Sequence, residues 1–153
     1  MGTHHKGSVK EITALNTYIK LVRAVESLNQ RLYPMLLKQG LTESQFSVLE
    51  ALFHLGPMYQ RELSGKVLRS PGNITMVLDN LEKRNLVKRE RGELDRRHYM
   101  IHLTPAGQEF IKKIFPEHIR AIVKELEVLN ESEQCKLQKM CKEIGLQENP
   151  EDT

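Results

Sequence analysis

The feature that most constrains this chain is one change in the spacing of its apolar residues. Up to about residue 85, and again after residue 104, apolar side chains recur every three or four positions, which is the period of an amphipathic helix. Between these regions, residues 86–91 and 98–103 alternate with a period of two, which is typical of strands. Residues 92–97 form a charged hairpin tip between the two strands. The pattern predicts a mainly α-helical fold with a small antiparallel sheet of two or three strands.

Six helices are predicted from apolar stripes and end signals. A long first helix, about residues 11–37, carries one continuous stripe. A capping box at residues 42–45 opens the second helix, and Gly56 followed by proline ends it. A short third helix spans about residues 59–68. The fourth and fifth helices begin with a capping hydroxyl followed by proline, and the sixth begins with a capping asparagine; these starts are Ser70-Pro71, Thr104-Pro105 and Asn130.

Length and composition indicate one domain. A chain of 153 residues can bury one sizeable core and is short for two independent domains. No apolar run approaches the roughly 20 residues that span a bilayer, and the polar start lacks a signal-like apolar region. Cys135 and Cys141 lie six positions apart in one helix, which suits neither a disulfide nor a metal pair. We expect a reduced, cytoplasmic chain with semi-buried cysteines and no membrane partner, while nearby lysines leave an oxidant-sensing thiol as an alternative.

The positive charge is concentrated in the middle of the chain. The formal net charge is +3, but residues 58–104 hold ten Lys or Arg against six Asp or Glu, a balance of +4. The other residues together have a balance of −1. A locally basic segment is what a module that binds a polyanion needs.

The order of elements in this basic segment predicts a DNA-reading motif. A helix, a short helix, a connection of about three residues, a helix and a hairpin form a winged helix-turn-helix, in which the hairpin is the wing. Such a motif inserts its recognition helix, here the fourth, N-terminus first into the major groove. Asn73 can pair with adenine, Thr75 with a base or phosphate, and Met76 with a thymine methyl. Lysines and arginines beside them, including Lys83, suit phosphates. The predicted contacts before the wing are Lys66, Arg69, Ser70, Gly72, Asn73, Thr75, Met76 and Asn80.

Three sequence motifs resemble the MarR (multiple antibiotic resistance regulator) family. Residues 81–87, LEKRNLV, are similar to that family's L-E-x-x-G-L-V, with Asn85 in place of glycine. Asp95-Arg96-Arg97 resembles the D-x-R of the family's wing, and residues 103–107, LTPAG, its L-T-x-x-G. The resemblance implies that Asp95 orients Arg97, and that Arg97 or Arg96 enters the minor groove, where narrow A·T tracts attract guanidinium groups.

The resemblance also implies an organisation for the whole chain. It implies a single MarR-like domain over residues 1–153, with a DNA-binding lobe at about 42–104. Helices at about 11–37 and 105–145 would join two copies, and residues 1–8 and 147–153 would be disordered. Such a bacterial homodimer would bind a pseudo-palindromic operator, with half-sites about one helical turn apart.

Many members of that family bind a small, often phenolic, ligand between the dimer helices and the DNA-binding lobe. By resemblance we expect such an inducer here, and no cofactor. The histidines are too scattered for a metal site, so none is predicted. The side chains on the helices expected to line the ligand crevice are Tyr33, Phe46, His54, Phe115 and His118.

The leading hypothesis is a sequence-specific transcriptional regulator, a repressor released by a ligand or an oxidant. The alternative is an architectural protein that binds any duplex and has no inducer. An enzyme is not expected, because the sequence has no phosphate loop, no nucleophile with a base motif and no carboxylate pair. A protein-interaction module with a degenerate wing is disfavoured, because Asp95, Arg96 and Arg97 are retained.

Overall fold

The computed structural model describes residues 2–67, 71–91 and 98–146, with the backbone alone for residues 71 and 72. The chain divides into two compact units, Met1–His118 and Ile119–Thr153. The described part contains six helices and three strands, in keeping with the predicted mainly α-helical fold with a small wing sheet. In chain order they are α1 (Val9–Lys38), α2 (Glu43–Leu55), β1 (Met58–Tyr59), α3 (Gln60–Lys66), α4 (Pro71–Lys83), β2 (Val87–Arg91), β3 (Tyr99–Leu103), α5 (Pro105–Leu126) and α6 (Glu131–Gly145).

Local capping sets most of the helix starts. The Thr42 hydroxyl accepts from the Gln45 amide, and the Gln45 side chain accepts from the Thr42 amide, so the predicted capping box of α2 is confirmed. Asn130 caps α6 in the same way. Helix α1 begins two residues before the predicted boundary, because Ser8 and Glu11 form a further capping box.

The sheet has three antiparallel strands in the order β1-β3-β2. Val87 pairs with Leu103, and Arg89 with Ile101, while Met58 pairs with Ile101 on the other side of β3. Tyr59 ends β1 and is the N-cap of α3, which therefore begins at Gln60, one residue after the predicted start. A strand of two residues is too short to show an alternation of apolar and polar residues in the sequence. It forms because β3 supplies a hydrogen-bonding partner.

The core lies where α2, α3, α4 and the sheet meet. Leu49, Leu63, Leu78 and Ile101 are fully buried there. The apolar stripe of α4 belongs to this core, since Ile74, Val77, Leu78 and Leu81 are all buried. One face of α4 is therefore fixed against the core, and its other face is turned away from it.

The link from the sheet into α5 explains the L-T-x-x-G motif physically. The Thr104 hydroxyl donates to the Asn85 carbonyl at 2.6 Å and accepts from the Gly107 amide at 2.9 Å. A Cβ at Gly107 would overlap the backbone of Leu86. Asn85 has φ of 55°, a left-handed conformation that asparagine adopts more readily than most residues other than glycine.

The second unit contains the end of α5 and all of α6. Both cysteines of α6 are exposed and free, so the prediction that they are semi-buried was wrong. The apolar positions of α6, including Leu137, Met140 and Ile144, are exposed as well. Within the described residues, no helix is long and apolar enough to cross a membrane.

Candidate nucleic-acid interface

The outward side of α4 presents the side chains predicted to read DNA. Asn73, Thr75, Met76 and Asn80 are all exposed, and Met76 keeps 64% of its surface accessible. They alternate with the buried residues of the same helix at the helical period. The helix therefore offers amide, hydroxyl and thioether groups on one accessible surface, the groups that pair with base edges and thymine methyls.

The helix before α4 is tied to it by a polar contact. Gln60, the first residue of α3, donates its amide to the Thr75 hydroxyl at 2.8 Å. Lys66, at the end of α3, is exposed, as a phosphate contact requires. Arg69 and Ser70 lie outside the described residues, and Gly72 is described as backbone within α4.

The wing is described up to its tip. Strands β2 and β3 lead into residues 92–97, and the predicted minor-groove residues Asp95, Arg96 and Arg97 lie outside the described residues. The strands carry the exposed basic side chains of Lys88 and Arg91. Lys88 forms an ion pair with Glu90 on its own strand.

Two arginines that the sequence prediction missed hold α4 in place. Arg84, just past α4, donates to the carbonyls of Gly40 at 2.6 Å and Gln39 at 3.2 Å, and its guanidinium lies 5.5 Å from the centre of the Phe110 ring. Arg89, on β2, forms ion pairs with Asp79 and Glu82 of α4. The sequence could have indicated the role of Arg89. It lies two positions after Val87 on the same strand, so the two side chains share the core-facing side of the sheet, where a charge needs partners.

Four of the five predicted ligand-pocket residues are brought together, in two pairs. The rings of Phe46 and His118 are 4.2 Å apart, and those of His54 and Phe115 are 4.6 Å apart. Phe53, which the prediction omitted, joins the second pair, at 6.2 Å from Phe115 and 5.0 Å from His54. Both pairs join α2 to α5, and together with Phe53 they are called the aromatic group below.

Tyr33 does not join this aromatic group. It lines a separate open cavity of about 360 Å³, beside Asn29, Gln30 and the start of α2. His54 lines a larger open cavity of about 630 Å³ with Glu50 and Lys66.

His118 has the electrostatic character of a group kept neutral. Burial lowers the pKa of His118 below its ordinary value, and the nearby Glu50 carboxylate opposes that shift only in part. Its Nδ1 atom is buried without a hydrogen-bond partner among the described residues. A neutral imidazole with an unused nitrogen can hydrogen-bond to a hydroxyl or carboxyl group of a small aromatic molecule.

The described residues contain no group of three or more His, Cys, Asp or Glu side chains that could hold a metal ion. His102 Nε2 lies 3.2 Å from Glu90 on the neighbouring strand, and His98 packs edge-on against Tyr59. These histidines therefore have contacts within the wing sheet.

A short helix followed by a helix with a polar outward face, and then an antiparallel hairpin, defines a winged helix-turn-helix protein of the DNA-binding class.

Comparison with known proteins places the chain more closely. A sequence model described as "MarR family" matches residues 41–99. The HTH-type transcriptional regulator MhqR of Bacillus subtilis (strain 168) is 35% identical over 133 residues, which cover 87% of this chain and 92% of that protein.

Solved structures agree on the fold. AbsC, a MarR family transcriptional regulator from Streptomyces coelicolor, superposes with a TM-score of 0.82 at 23% identity, covering 92% of this chain and 96% of that chain. Bordetella bronchiseptica BpsR, whose DNA binding is regulated by 6-hydroxynicotinic acid, has a TM-score of 0.80 at 20% identity, covering 97% of this chain and all of that chain. The chain belongs to the MarR family of transcriptional regulators.

Proposed function

We propose that this regulator acts as a homodimer that reads a pseudo-palindromic operator through α4 and represses transcription until a small ligand binds. The observation that carries the proposal is the exposed polar face of α4 opposite its buried one. Asn73, Thr75, Met76 and Asn80 would read bases, and Lys66, Arg69, Ser70 and Gly72 would set the register on phosphates. Asp95, Arg96 and Arg97 would grip the minor groove. The protein would act in the bacterial cytoplasm, where its DNA lies.

The exposed apolar side of α1 supports the dimer. Within the described helix α1, Leu36 alone of the apolar stripe is buried, while Leu15 and Val25 are 38% and 50% exposed. Exposed apolar surface on this scale marks an interface in soluble proteins. A two-fold dimer presents two recognition helices, which suits an inverted repeat.

The test is fluorescence anisotropy with duplexes that the wild-type protein selects from a random-sequence pool, compared with scrambled duplexes at two salt concentrations. A specific regulator prefers its selected duplex by about a thousandfold or more. Equal affinity for both duplexes, with a dependence of affinity on salt concentration that accounts for nearly all of the binding free energy, would instead establish the architectural alternative.

Two variants test the reading residues. Asn73→Ala should cost roughly 1–3 kcal/mol and relax preference at one base position. Arg97→Ala should weaken binding strongly while the dimer stays folded. Lys6→Ala, an exposed change ahead of α1, is the control and should leave binding unchanged. Normal operator affinity in Arg97→Ala would rule out the wing assignment.

The aromatic group between α2 and α5 supports the ligand part of the proposal. Burial lowers the pKa of His118, its Nδ1 lacks a partner among the described residues, and the centre of the Phe46 ring lies 4.2 Å from that of its own ring. The relative BpsR, whose DNA binding responds to a hydroxylated aromatic acid, supports the same ligand class for this chain.

The ligand is tested by calorimetric titration of the protein with 6-hydroxynicotinate and with 4-hydroxyphenylacetate, followed by anisotropy with the selected duplex. Binding should lower DNA affinity, and His118→Phe should weaken ligand binding while leaving DNA affinity unchanged. A ligand response that is identical in His118→Phe would exclude this group as the site.

A further inference from the structure

Arg89 lies on the side of β2 that faces the helices. It pairs with Ile101 in the sheet, and its side chain is only 15% exposed. Its neighbours Lys88 and Glu90 are exposed and pair with each other. A guanidinium on the core side of a sheet is costly unless polar groups satisfy it, so its partners show what it holds.

Within the described residues, the side-chain partners of Arg89 lie on α4. Its Nη2 lies 2.7 Å from Asp79 Oδ1 and donates to the Thr75 carbonyl at 3.2 Å, and its Nη1 lies 2.7 Å from Glu82 Oε2. The backbone amide of Arg89 also donates to Glu82 Oε1 at 3.2 Å. One residue of the wing sheet thus contacts positions 75, 79 and 82, which follow one ridge along most of the recognition helix.

This arrangement fixes both the rotation and the axial position of α4 against the sheet. A guanidinium has five donors in a rigid fork, so it can engage two carboxylates and a carbonyl in fixed directions. The contacted carbonyl belongs to Thr75, which is exposed on the reading face next to Met76. A small rotation of α4 would move those side chains relative to the wing.

The same contacts have an electrostatic effect on the recognition helix. Asp79 and Glu82 are half-exposed carboxylates on α4, where they would repel DNA phosphates. Arg89 compensates part of that charge. If Arg89 acts through geometry, its loss lowers specificity even when Asp79 and Glu82 are neutralised. If it acts through charge, neutralising the two carboxylates restores specificity.

We propose that Arg89 is a positioning residue for sequence reading, which locks the recognition helix to the wing sheet so that both reach their grooves in register. The inference rests on the proposed function. It assigns discrimination between sequences to a residue on the inner side of the sheet.

The test compares Kd for the selected duplex and for a scrambled duplex in four proteins, namely wild type, Arg89→Met, Arg89→Lys, and Arg89→Met combined with Asp79→Asn and Glu82→Gln. In Arg89→Met we expect the specificity ratio to fall about tenfold or more. In the triple variant, which has no uncompensated carboxylates, scrambled-duplex affinity should return to the wild-type level or above while the ratio stays low. Arg89→Lys, which keeps the charge without the fork, should have an intermediate ratio.

Lys88→Met is the matched control. It also removes a cation from β2, but the partner of Lys88 is Glu90 on the same strand and not a residue of α4. It should change both affinities alike and leave the ratio intact. Circular dichroism and thermal melting establish that each variant is folded, and if Arg89→Met does not fold, the ratio in Arg89→Lys decides.

The outcomes separate the two proposals. A wild-type protein without preference between the duplexes overturns the proposed function. A wild-type preference that survives in the triple variant overturns the positioning role alone, because charge compensation then explains Arg89.

Discussion

Gly107, in the first turn of α5, lies directly against the backbone of Leu86. Its amide donates to the Thr104 hydroxyl, so the turn cannot move away without breaking the helix cap. A Cβ at this position would overlap the Leu86 carbonyl oxygen and carbon, which are backbone atoms that cannot rotate aside. Glycine is therefore needed at position 107 because there is no room for a side chain, and not because the backbone has an unusual φ.

Gly107→Ala should destabilise the protein by roughly 1–3 kcal/mol, the usual cost of forcing extra atoms into a packed site. Gly65→Ala is the matched control, since Gly65 also lies in a helix but has open space around it. That change should be neutral or stabilise by up to about 1 kcal/mol. Urea unfolding measures both, and an equal effect of the two changes would contradict the packing argument.

His118 predicts a pH dependence of stability near neutrality. Burial lowers its pKa in the folded protein below the ordinary value of 6.5, so the unfolded chain binds a proton more readily. Stability should therefore fall as pH drops below about 6.5 and level off below the folded pKa. His118→Phe should flatten urea-derived stability between pH 7.5 and 5.5, while His4→Phe, exposed at the N-terminus, should leave the slope unchanged. A slope that is the same in His118→Phe as in wild type would contradict this account.

At the scale of elements, Arg84 joins the C-terminal end of α4 to two other helices. Its guanidinium binds the carbonyls of Gln39 and Gly40 just after α1, and it lies over Phe110 of α5. Carbonyls at a helix end have no intrahelical donors, so this contact satisfies groups that would otherwise need water. The recognition helix is thereby joined at its C-terminal end to the first and fifth helices.

Arg84→Ala should lower the free energy of unfolding by about 1 kcal/mol, which is less than a buried charge-assisted hydrogen bond contributes, because the side chain is exposed. Lys83→Ala, one position earlier and also exposed, should change it by less than about 0.5 kcal/mol. Thermal and urea unfolding compare the two, and an equal loss in Lys83→Ala would show that the Arg84 contacts contribute nothing specific.

Local signals made most of these elements predictable, and non-local contacts account for the rest. The capping box at Thr42 is complete within four residues, so the sequence contains it entirely. Strand β1 exists only through its pairing with β3, some 40 residues later, and no local pattern predicts it. The outward face of α4 follows from the helical period, whereas the fork from Arg89 to Asp79 and Glu82 depends on how the sheet packs.

For the whole molecule, the distribution of exposed apolar residues supports the proposed dimer. The DNA-binding part has a closed core around Leu49 and Leu78, both fully buried. Helix α1 instead leaves Leu15, Tyr18 and Val25 exposed. Burial of such residues is worth roughly 1.5–3 kcal/mol each, so their exposure favours association with a second copy.

The chain should sediment as a dimer, and Val25→Glu should shift it towards monomer, because a carboxylate in an apolar interface must lose its hydration. Ser27→Glu adds the same charge two residues away, on the opposite side of α1, and should remain dimeric. Because an operator with two half-sites needs both recognition helices, Val25→Glu should also lose most of its affinity for the selected duplex. Sedimentation equilibrium and anisotropy on the same samples check both expectations. A Val25→Glu protein that stays dimeric would place the interface elsewhere, and a monomer with full affinity would remove the dimer from the mechanism of DNA reading.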